Sequence, residues 1–253
     1  MRMTAVLLGA WMMCVAGPAM AQYPDIDPMH DAARINVRLG LEYMRQGQLA
    51  IARDKIERAL QQNPRDVGVQ IGAGMLYEQM QDPRKAERHY RHALRLGSDN
   101  PEAQNSFGAF LCRNGEAKRG EEMFLAAARN PLYRTPEVAY TNAGVCARGA
   151  GRLEQAEEHL RLALAQRTVY SEALLQLAGV SFERGSLLQS RAFLQRYLAV
   201  MSGQAEVLLL GYQIETALAD TAAATEYATR LRTRFPDSPE ARILAELRRQ
   251  GTE

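Results

Sequence analysis

The sequence lacks an excess of charge of either sign. Its 253 residues include 31 Lys and Arg against 29 Asp and Glu, so the formal net charge at pH 7 is +2. Proteins that bind nucleic acid or an anionic membrane through a charged surface usually carry a clear basic excess. The balance therefore gives no indication of such a surface, and we expect no nucleic acid among the partners of this protein.

The sequence also lacks the short motifs of common catalytic sites. It contains no phosphate-binding GxxxxGK[ST] loop, no GxSxG nucleophile motif and no HExxH zinc motif. His89 and His92 lie close together, but no acidic or sulfur residue stands at a spacing that would complete a metal site. A solvated or half-packed helix face explains the two histidines better. We therefore predict no catalytic residue, no metal site and no cofactor, and we expect that the protein is not an enzyme.

Long apolar runs are absent except near the start of the chain. There, residues 3–16 are uncharged, a basic residue precedes them, and Ala19 and Ala21 place small side chains just before Gln22. The run is shorter than the roughly 20 residues that a membrane-spanning helix needs. The order of these features is typical of a secretory signal peptide rather than of a buried core helix. We predict a signal peptide over residues 1–21 that is cleaved after Ala21.

Cysteine is also scarce, and one of the three cysteines, Cys14, lies in this apolar run. It could serve as a lipid-attachment site instead of being discarded. Lipoprotein processing requires small residues directly before the cysteine, whereas Trp11, Met12 and Met13 are all bulky. We therefore expect that Cys14 is removed with the signal peptide. A wrongly assigned start codon would change this expectation.

After a short link over residues 22–32, the sequence repeats itself about every 34 residues, which is the period of the tetratricopeptide repeat. Small residues recur where two helices must pack closely, and glycines mark most turns between the paired helices. Asn100, Thr135 and Ser238, each followed by proline, mark helix starts. The small residues of the first helices are Gly40, Gly74, Gly108, Gly144 and Ala178. Those of the second helices are Ala52, Ala86, Gly120, Ala156, Ser190 and Ala224, and the turn glycines are Gly47, Gly115, Gly151 and Gly185.

These signals predict the domain organisation. The predicted repeats span 33–66, 67–100, 101–134, 137–170, 171–204 and 205–238, with Thr135 and Pro136 inserted between the third and the fourth. Residues 239–253 are predicted to form a polar helix that caps the array, since the end of a solenoid requires one. The predicted fold is therefore all-α: a right-handed superhelical solenoid of six tetratricopeptide repeats with a C-terminal capping helix.

A solenoid of this kind offers a concave surface that is formed mainly by the first helices. In the first two repeats the inward positions are apolar apart from Glu78, and two of them are flexible methionines suited to contacting a partner segment. We predict a partner-binding groove at Val37, Leu41, Met44, Ile71 and Met75. The alternative is that some of these side chains only pack against the following helix. Leu41 stands where chaperone-docking repeats carry the Asn of a carboxylate clamp, which argues against a cytosolic chaperone adaptor.

Five segments carry a family resemblance. The most specific are Phe-Leu-Cys at 110–112, Asn-Pro-Leu-Tyr-Arg-Thr-Pro-Glu at 130–137 and Asn-Ala-Gly-Val-Cys at 142–146. Residues 208–220 and 235–241 add a sixth repeat and an ending of the same kind. Together they resemble the PilF/PilW family of type IV pilus biogenesis and stability proteins. The resemblance covers nearly all of the chain after the signal peptide.

The resemblance implies that the protein is a pilotin. Such proteins help the secretin PilQ to reach the outer membrane and to form its multimeric pore. The expected partner is therefore the secretin subunit PilQ, and the expected location is the periplasm or the inner face of the outer membrane. Because Cys14 lacks a lipoprotein flank, we expect an indirect or weak association with the outer membrane, and we expect a monomer. The alternatives are another periplasmic repeat scaffold for envelope or secretion-complex assembly and, more distantly, an accessory domain of an enzyme.

The family resemblance also bears on the remaining two cysteines, Cys112 and Cys146. Related proteins carry the same Phe-Leu-Cys and Gly-Val-Cys elements, and Cys112 and Cys146 occupy nearby positions on adjacent predicted first helices. An even pair of cysteines in an oxidising compartment can form a disulfide. We predict a disulfide between Cys112 and Cys146 that links repeats 3 and 4. The alternative is two small apolar side chains buried in helices.

Overall fold

The computed structural model of the protein describes residues 28–250, so the predicted signal peptide over residues 1–21 lies outside the described part. The described residues form thirteen α-helices and no strand. The helices are Pro28–Arg45 (α1), Leu49–Gln62 (α2), Val67–Gln79 (α3), Pro83–Leu96 (α4), Pro101–Arg113 (α5), Ala117–Arg129 (α6), Pro136–Gly149 (α7), Leu153–Gln166 (α8), Ser171–Glu183 (α9), Leu187–Leu198 (α10), Ala205–Ala217 (α11), Thr221–Arg234 (α12) and Pro239–Gln250 (α13).

The first twelve helices form six consecutive pairs, from α1 and α2 to α11 and α12, and α13 packs on the last pair. This arrangement confirms the predicted all-α solenoid of paired helices. Its start differs from the prediction, because α1 begins at Pro28, inside the segment 22–32 that we expected to be a link. Proline is favoured at the first position of a helix, and the negative charge of Asp31 in the first turn interacts favourably with the positive end of the helix dipole.

The curvature of the array follows from which helices touch their neighbours. Each first helix comes within 8 Å of the first helix of the next pair, as α1 does with α3 and α3 does with α5. Within residues 28–250, the second helices of neighbouring pairs, such as α2 and α4, do not approach one another in this way. The first helices therefore line the inner, concave side of the solenoid, and the second helices form the outer, convex side.

In five of the six pairs the two helices pack so closely that a glycine on the first helix meets a large side chain on the second, and the fifth pair carries Ala178 at this position. A Cβ atom added at Gly74 would lie 2.7 Å from the ring of Tyr90, and one added at Gly144 would lie 2.6 Å from Cγ of Leu160. Such distances leave no room for a methyl group. In the sixth pair the same contact is made by Gly211, one residue earlier than the repeat predicts. This offset explains why the sequence repeat is weakest there.

The turns between the paired helices require a left-handed backbone conformation. The four turn glycines adopt it, with φ angles between 72° and 84°. In the second and sixth pairs the same turn position is occupied by Gln81 and Ala219, whose φ angles are 59° and 58°. A residue with a Cβ atom pays a steric cost of about 1–2 kcal/mol in this conformation. These two turns are therefore strained, although the glycine pattern gave no sign of a turn there.

We expect that Gln81→Gly increases the free energy of unfolding by about 0.5–1 kcal/mol. Glycine removes the steric cost of the left-handed conformation, and the greater conformational entropy of glycine in the unfolded chain offsets only part of this gain. Gln81 is exposed, so the substitution removes little packing. Chemical denaturation of the purified protein measures the change. As the matched control, Gly115→Ala should lower the free energy of unfolding by about 1 kcal/mol, since nothing lies within 4 Å of the added Cβ atom and only the backbone is affected. A loss of stability in Gln81→Gly would contradict the strained-turn interpretation.

Candidate partner-binding groove

Three of the five predicted groove residues lie on α1, and they differ in their exposure. Val37 and Leu41 are half-buried at the edge of a core cluster that includes Ile56 and Leu76. Met44 belongs to that cluster itself and is only 7% exposed. Met44 therefore packs against neighbouring helices, so the packing alternative applies to it and it does not line an open groove. The difference arises because Met44 lies where α2 and α3 both approach α1.

The other two predicted residues lie on α3. Ile71 is half-buried and packs at the edge of an aromatic cluster that contains Tyr90, Phe107 and Phe110. Met75 is 39% exposed, which makes it the most accessible of the five. Four of the predicted residues thus keep some exposed surface on the first helices α1 and α3, and Met75 is the most exposed of them.

A cavity of about 610 Å³ lies at the start of α3 and includes Val37 and Ile71 in its wall. Its volume lies within the range of about 300–1,000 Å³ that ligand-sized pockets occupy. Asp66 and Asn100, which also line it, cap α3 and α5, because their side chains accept hydrogen bonds from the backbone N–H groups of Val69 and Ala103 at 3.0 and 2.9 Å. The polar atoms of the two caps are thus already used in holding the helix ends.

Charged side chains surround this cavity, and the groove prediction did not include them. Arg34 lies 3.7 Å from the carboxylate of Asp66, and Arg65 and Glu102 complete the polar part of the lining. Apolar walls inside a charged rim suit a peptide segment that inserts an apolar side chain and pairs its own charges at the edge. The sequence signal that would have revealed the rim is the charged second residue of the first and third repeats.

At the other end of α3, a hydrogen-bonded group closes the apolar part of the groove. Arg113 donates to both carboxylate oxygens of Glu78, at 2.6 and 3.0 Å, and the hydroxyl of Tyr90 donates to Glu78 at 3.1 Å. Burial, with the nearby Glu78 carboxylate, raises the pKa of Tyr90 far above its usual value, so this hydroxyl stays a donor. Glu78 is therefore a satisfied structural acceptor and not a free charge in the groove.

The concave surface becomes polar in the following repeats. The amide of Asn142 donates to Asn105 at 3.0 Å between α7 and α5. Further along, Arg148 donates to Glu183 at 2.6 Å and to Gln176 at 2.7 Å, and these bonds link α7 to α9. These polar contacts interrupt the apolar lining beyond the second helix pair, although Val145 on α7 is 41% exposed at the repeat position that Met75 occupies on α3.

Cys112 on α5 and Cys146 on α7 are joined by a disulfide in the structure, and their Cα atoms are 5.8 Å apart. This distance falls in the range that disulfides require. Cys146 is buried beside Phe124, while Cys112 is partly buried next to the same cluster. The bond connects the third and fourth helix pairs, the two pairs between which the sequence carries its two extra residues.

His89, one of the two histidines that raised the question of a metal site, has structural contacts. His89 lies 2.8 Å from the side-chain oxygen of Gln70 and stacks on Tyr77 with a centroid distance of 5.3 Å. Burial lowers the pKa of His89, which favours the neutral ring. Across residues 28–250 there is no group of three potential metal ligands. No helix in that part of the chain is long and apolar enough to cross a membrane.

Comparison with known proteins identifies the family. The tetratricopeptide repeat profile matches residues 37–101 and 71–136. The crystal structure of PilW, a widely conserved type IV pilus biogenesis factor, is similar over 84% of this chain and 98% of its own, with a TM-score of 0.77 and 31% sequence identity. The chain belongs to the PilF/PilW family. Membership supports a role in type IV pilus assembly and agrees with the repeat-scaffold fold.

Three further comparisons find similar proteins. The type IV pilus assembly protein PilF of Pseudomonas aeruginosa is 23% identical over 215 residues, which are 85% of each chain. The solved structure of Pseudomonas aeruginosa PilF covers 87% of this chain and 99% of its own, with a TM-score of 0.73 and 22% identity. An uncharacterised protein of Haemophilus influenzae is 27% identical over 123 residues, which are 49% of this chain and 69% of its own. The similarity to PilF and PilW therefore extends over most of the solenoid and is not limited to one repeat.

We expect that replacing both disulfide cysteines, as in Cys112→Ala with Cys146→Ala, lowers the free energy of unfolding by up to about 3–4 kcal/mol, because the unfolded chain is no longer constrained by a closed loop. Denaturation with and without a thiol reductant measures this effect. The reductant should destabilise the wild-type protein and leave the double variant unchanged. If the reductant has no effect on the wild-type protein, the disulfide does not contribute to its stability in solution.

Proposed function

We propose that this PilF/PilW family member is a pilotin that binds the secretin subunit PilQ and promotes its multimerisation, its stability and its localisation at the outer membrane. The observation that carries the proposal is the group of partly exposed apolar side chains on α1 and α3, which adjoins the cavity at the start of α3. A surface of this size would hold one segment of a partner.

The geometry of the surface favours an amphipathic partner segment. Val37 and Leu41 on α1, and Ile71 and Met75 on α3, each stand four residues apart and form two apolar rows on neighbouring helices. Helices in contact pack with their axes about 8–10 Å apart, so the space between the rows can receive one row of apolar side chains. Methionine adapts its shape to a partner because its side chain is unbranched and flexible. The partner's charged residues would then meet the rim of the cavity.

The proposed location is the periplasm, at the inner face of the outer membrane. The predicted signal peptide supports export, and a disulfide such as Cys112–Cys146 persists in an oxidising compartment. A periplasmic solenoid that holds a secretin protomer would keep its apolar surfaces from aggregating before the pore assembles. Stabilisation by binding then follows from mass action, because a partner that binds only the folded protomer raises its population.

We expect that Met75→Glu weakens binding to the secretin by about two orders of magnitude. The introduced carboxylate would be buried against an apolar segment without a hydrogen bond or an ion pair, which costs several kcal/mol. Met75 is 39% exposed, so the variant should still fold. Met201→Glu is the matched control, since Met201 is 43% exposed and lies in the loop between α10 and α11, far from the groove. Titration of the periplasmic part of the secretin against each variant measures the affinity. Unchanged affinity of Met75→Glu would show that the groove is not the binding surface.

We also expect that deletion of the gene reduces the amount of secretin multimer and weakens type IV piliation, because unprotected protomers aggregate or are degraded. Since a lipid anchor is not expected, the loss of multimers should exceed the loss of outer-membrane targeting. Membrane fractions of the deletion strain, tested for heat- and detergent-resistant secretin multimers, measure the effect, and surface pili are counted in parallel. The intact gene supplied on a plasmid is the control. Normal multimers and pili in the deletion strain would favour the alternative of a general periplasmic scaffold.

A further inference from the structure

The convex surface carries a row of arginines that the proposed pilotin function does not use. Arg84, Arg88, Arg91 and Arg95 stand on α4 at intervals of four, three and four residues, and all four are exposed. This spacing places side chains on one face of a helix. At a rise of about 1.5 Å per residue, the row is about 16 Å long. We call these four residues the arginine stripe.

Nearby acidic groups pair with only one of the four arginines of the stripe among the residues that the structure describes. Arg91 pairs with Glu87 at 2.7 Å, and the one acidic side chain at the start of the helix, Asp82, pairs with Lys85 at 3.2 Å. Among the residues that the structure describes, Arg84 and Arg88 have no carboxylate within 4.0 Å, and neither does Arg95. Three guanidinium groups of the stripe thus face solvent without a partner.

No other second helix carries such a row at the same positions of its repeat. The corresponding residues are Ala50, Asp54, Glu57 and Gln61 on α2; Lys118, Glu122, Leu125 and Arg129 on α6; Glu154, Glu158, Arg161 and Ala165 on α8; Leu188, Ala192, Gln195 and Ala199 on α10; and Ala222, Glu226, Thr229 and Thr233 on α12. The stripe is therefore a local feature of the second repeat. The net charge of the whole chain does not reveal the stripe, because acidic residues elsewhere balance its positive charges.

The form of the stripe favours a flat anionic surface as its partner. Arginine presents a planar group that binds phosphate oxygens through two hydrogen bonds, and all four positions are arginine rather than lysine. The stripe lies on the convex side and contains no apolar side chain, whereas protein partners are usually held by apolar or aromatic anchors in a pocket. A straight, protruding row of cations instead matches the repeated phosphates of lipid headgroups.

We propose that the arginine stripe of α4 binds the surface of a bilayer that contains anionic phospholipid. This inference is independent of the pilotin proposal. It modifies the expectation, drawn from the overall charge balance, that no anionic lipid surface is recognised. Because α4 lies on the convex side and α1 and α3 lie on the concave side, membrane contact would leave the apolar groove open to a protein partner. The stripe would thus provide a weak, reversible membrane association without a lipid anchor.

The test compares the wild-type protein, as processed and purified from its host, with Arg84→Gln/Arg88→Gln. Neither arginine has a carboxylate partner, so the double variant should fold normally, as thermal unfolding can verify. The matched control is Arg232→Gln/Arg242→Gln, which makes the same change in net charge on exposed residues of α12 and α13. The N-terminal segment is identical in all three proteins, so a contribution from its apolar run cancels in the comparison.

Co-sedimentation with phosphatidylcholine vesicles, with and without phosphatidylglycerol, measures binding. The wild-type protein and the control should bind the anionic vesicles more strongly than the neutral ones. The stripe variant should bind them about 25-fold more weakly, since each basic residue near an anionic surface contributes about fivefold. High salt should reduce the binding of the wild-type protein, because it screens exposed charges.

Three results would overturn the proposal. The first is equal binding of anionic and neutral vesicles by the wild-type protein. The second is equal weakening in the stripe variant and the control, which would reflect net charge alone. The third is binding of purified lipopolysaccharide or of an acidic peptide through the stripe without binding of phosphatidylglycerol vesicles, which would assign the stripe to a different partner.

Discussion

The structure depends on the close approach of the two helices within each pair. A glycine on the first helix faces a large side chain on the second, as Gly40 faces Ile56 and Gly74 faces Tyr90. These contacts have no room for a Cβ atom, so they fix the distance between the paired helices and the side chains that fill the space between them. The solenoid is a stack of such closely packed pairs. Both proposed binding surfaces depend on the geometry of that stack.

The stacking also separates the two sides of the molecule. Because the first helices of neighbouring pairs touch one another, whereas the second helices of neighbouring pairs within residues 28–250 do not, side chains on the first helices are brought together in a concave surface. Apolar residues on α1 and α3 can therefore act jointly as a groove. The arginines on α4, in contrast, form a row along a single helix. The concave side suits a segment that is enclosed by several helices, and the convex side suits an extended surface.

Polar contacts between repeats limit the apolar part of the groove. The Glu78–Arg113 pair and the Arg148–Glu183 pair both link first helices across a repeat boundary, and the Cys112–Cys146 disulfide lies between them. These links add polar and covalent contacts between neighbouring pairs to the apolar core that α7 to α11 share. They also interrupt the apolar lining of the concave side beyond the second pair, which is why the proposed groove lies on α1 and α3.

The sequence alone determined the number of helix pairs and most of the turns, and together with the family resemblance it predicted the pairing of two cysteines. These features depend on residues within one repeat or at nearby positions of adjacent repeats. The sequence did not determine exposure. Met44 and Met75 have the same side chain and both lie at predicted inward positions, yet only Met75 is exposed. Nor did it show the left-handed backbone at Gln81, or that the arginines of α4 lie on the convex side. Those properties depend on how neighbouring helices cover each position, and only the tertiary structure fixes that arrangement.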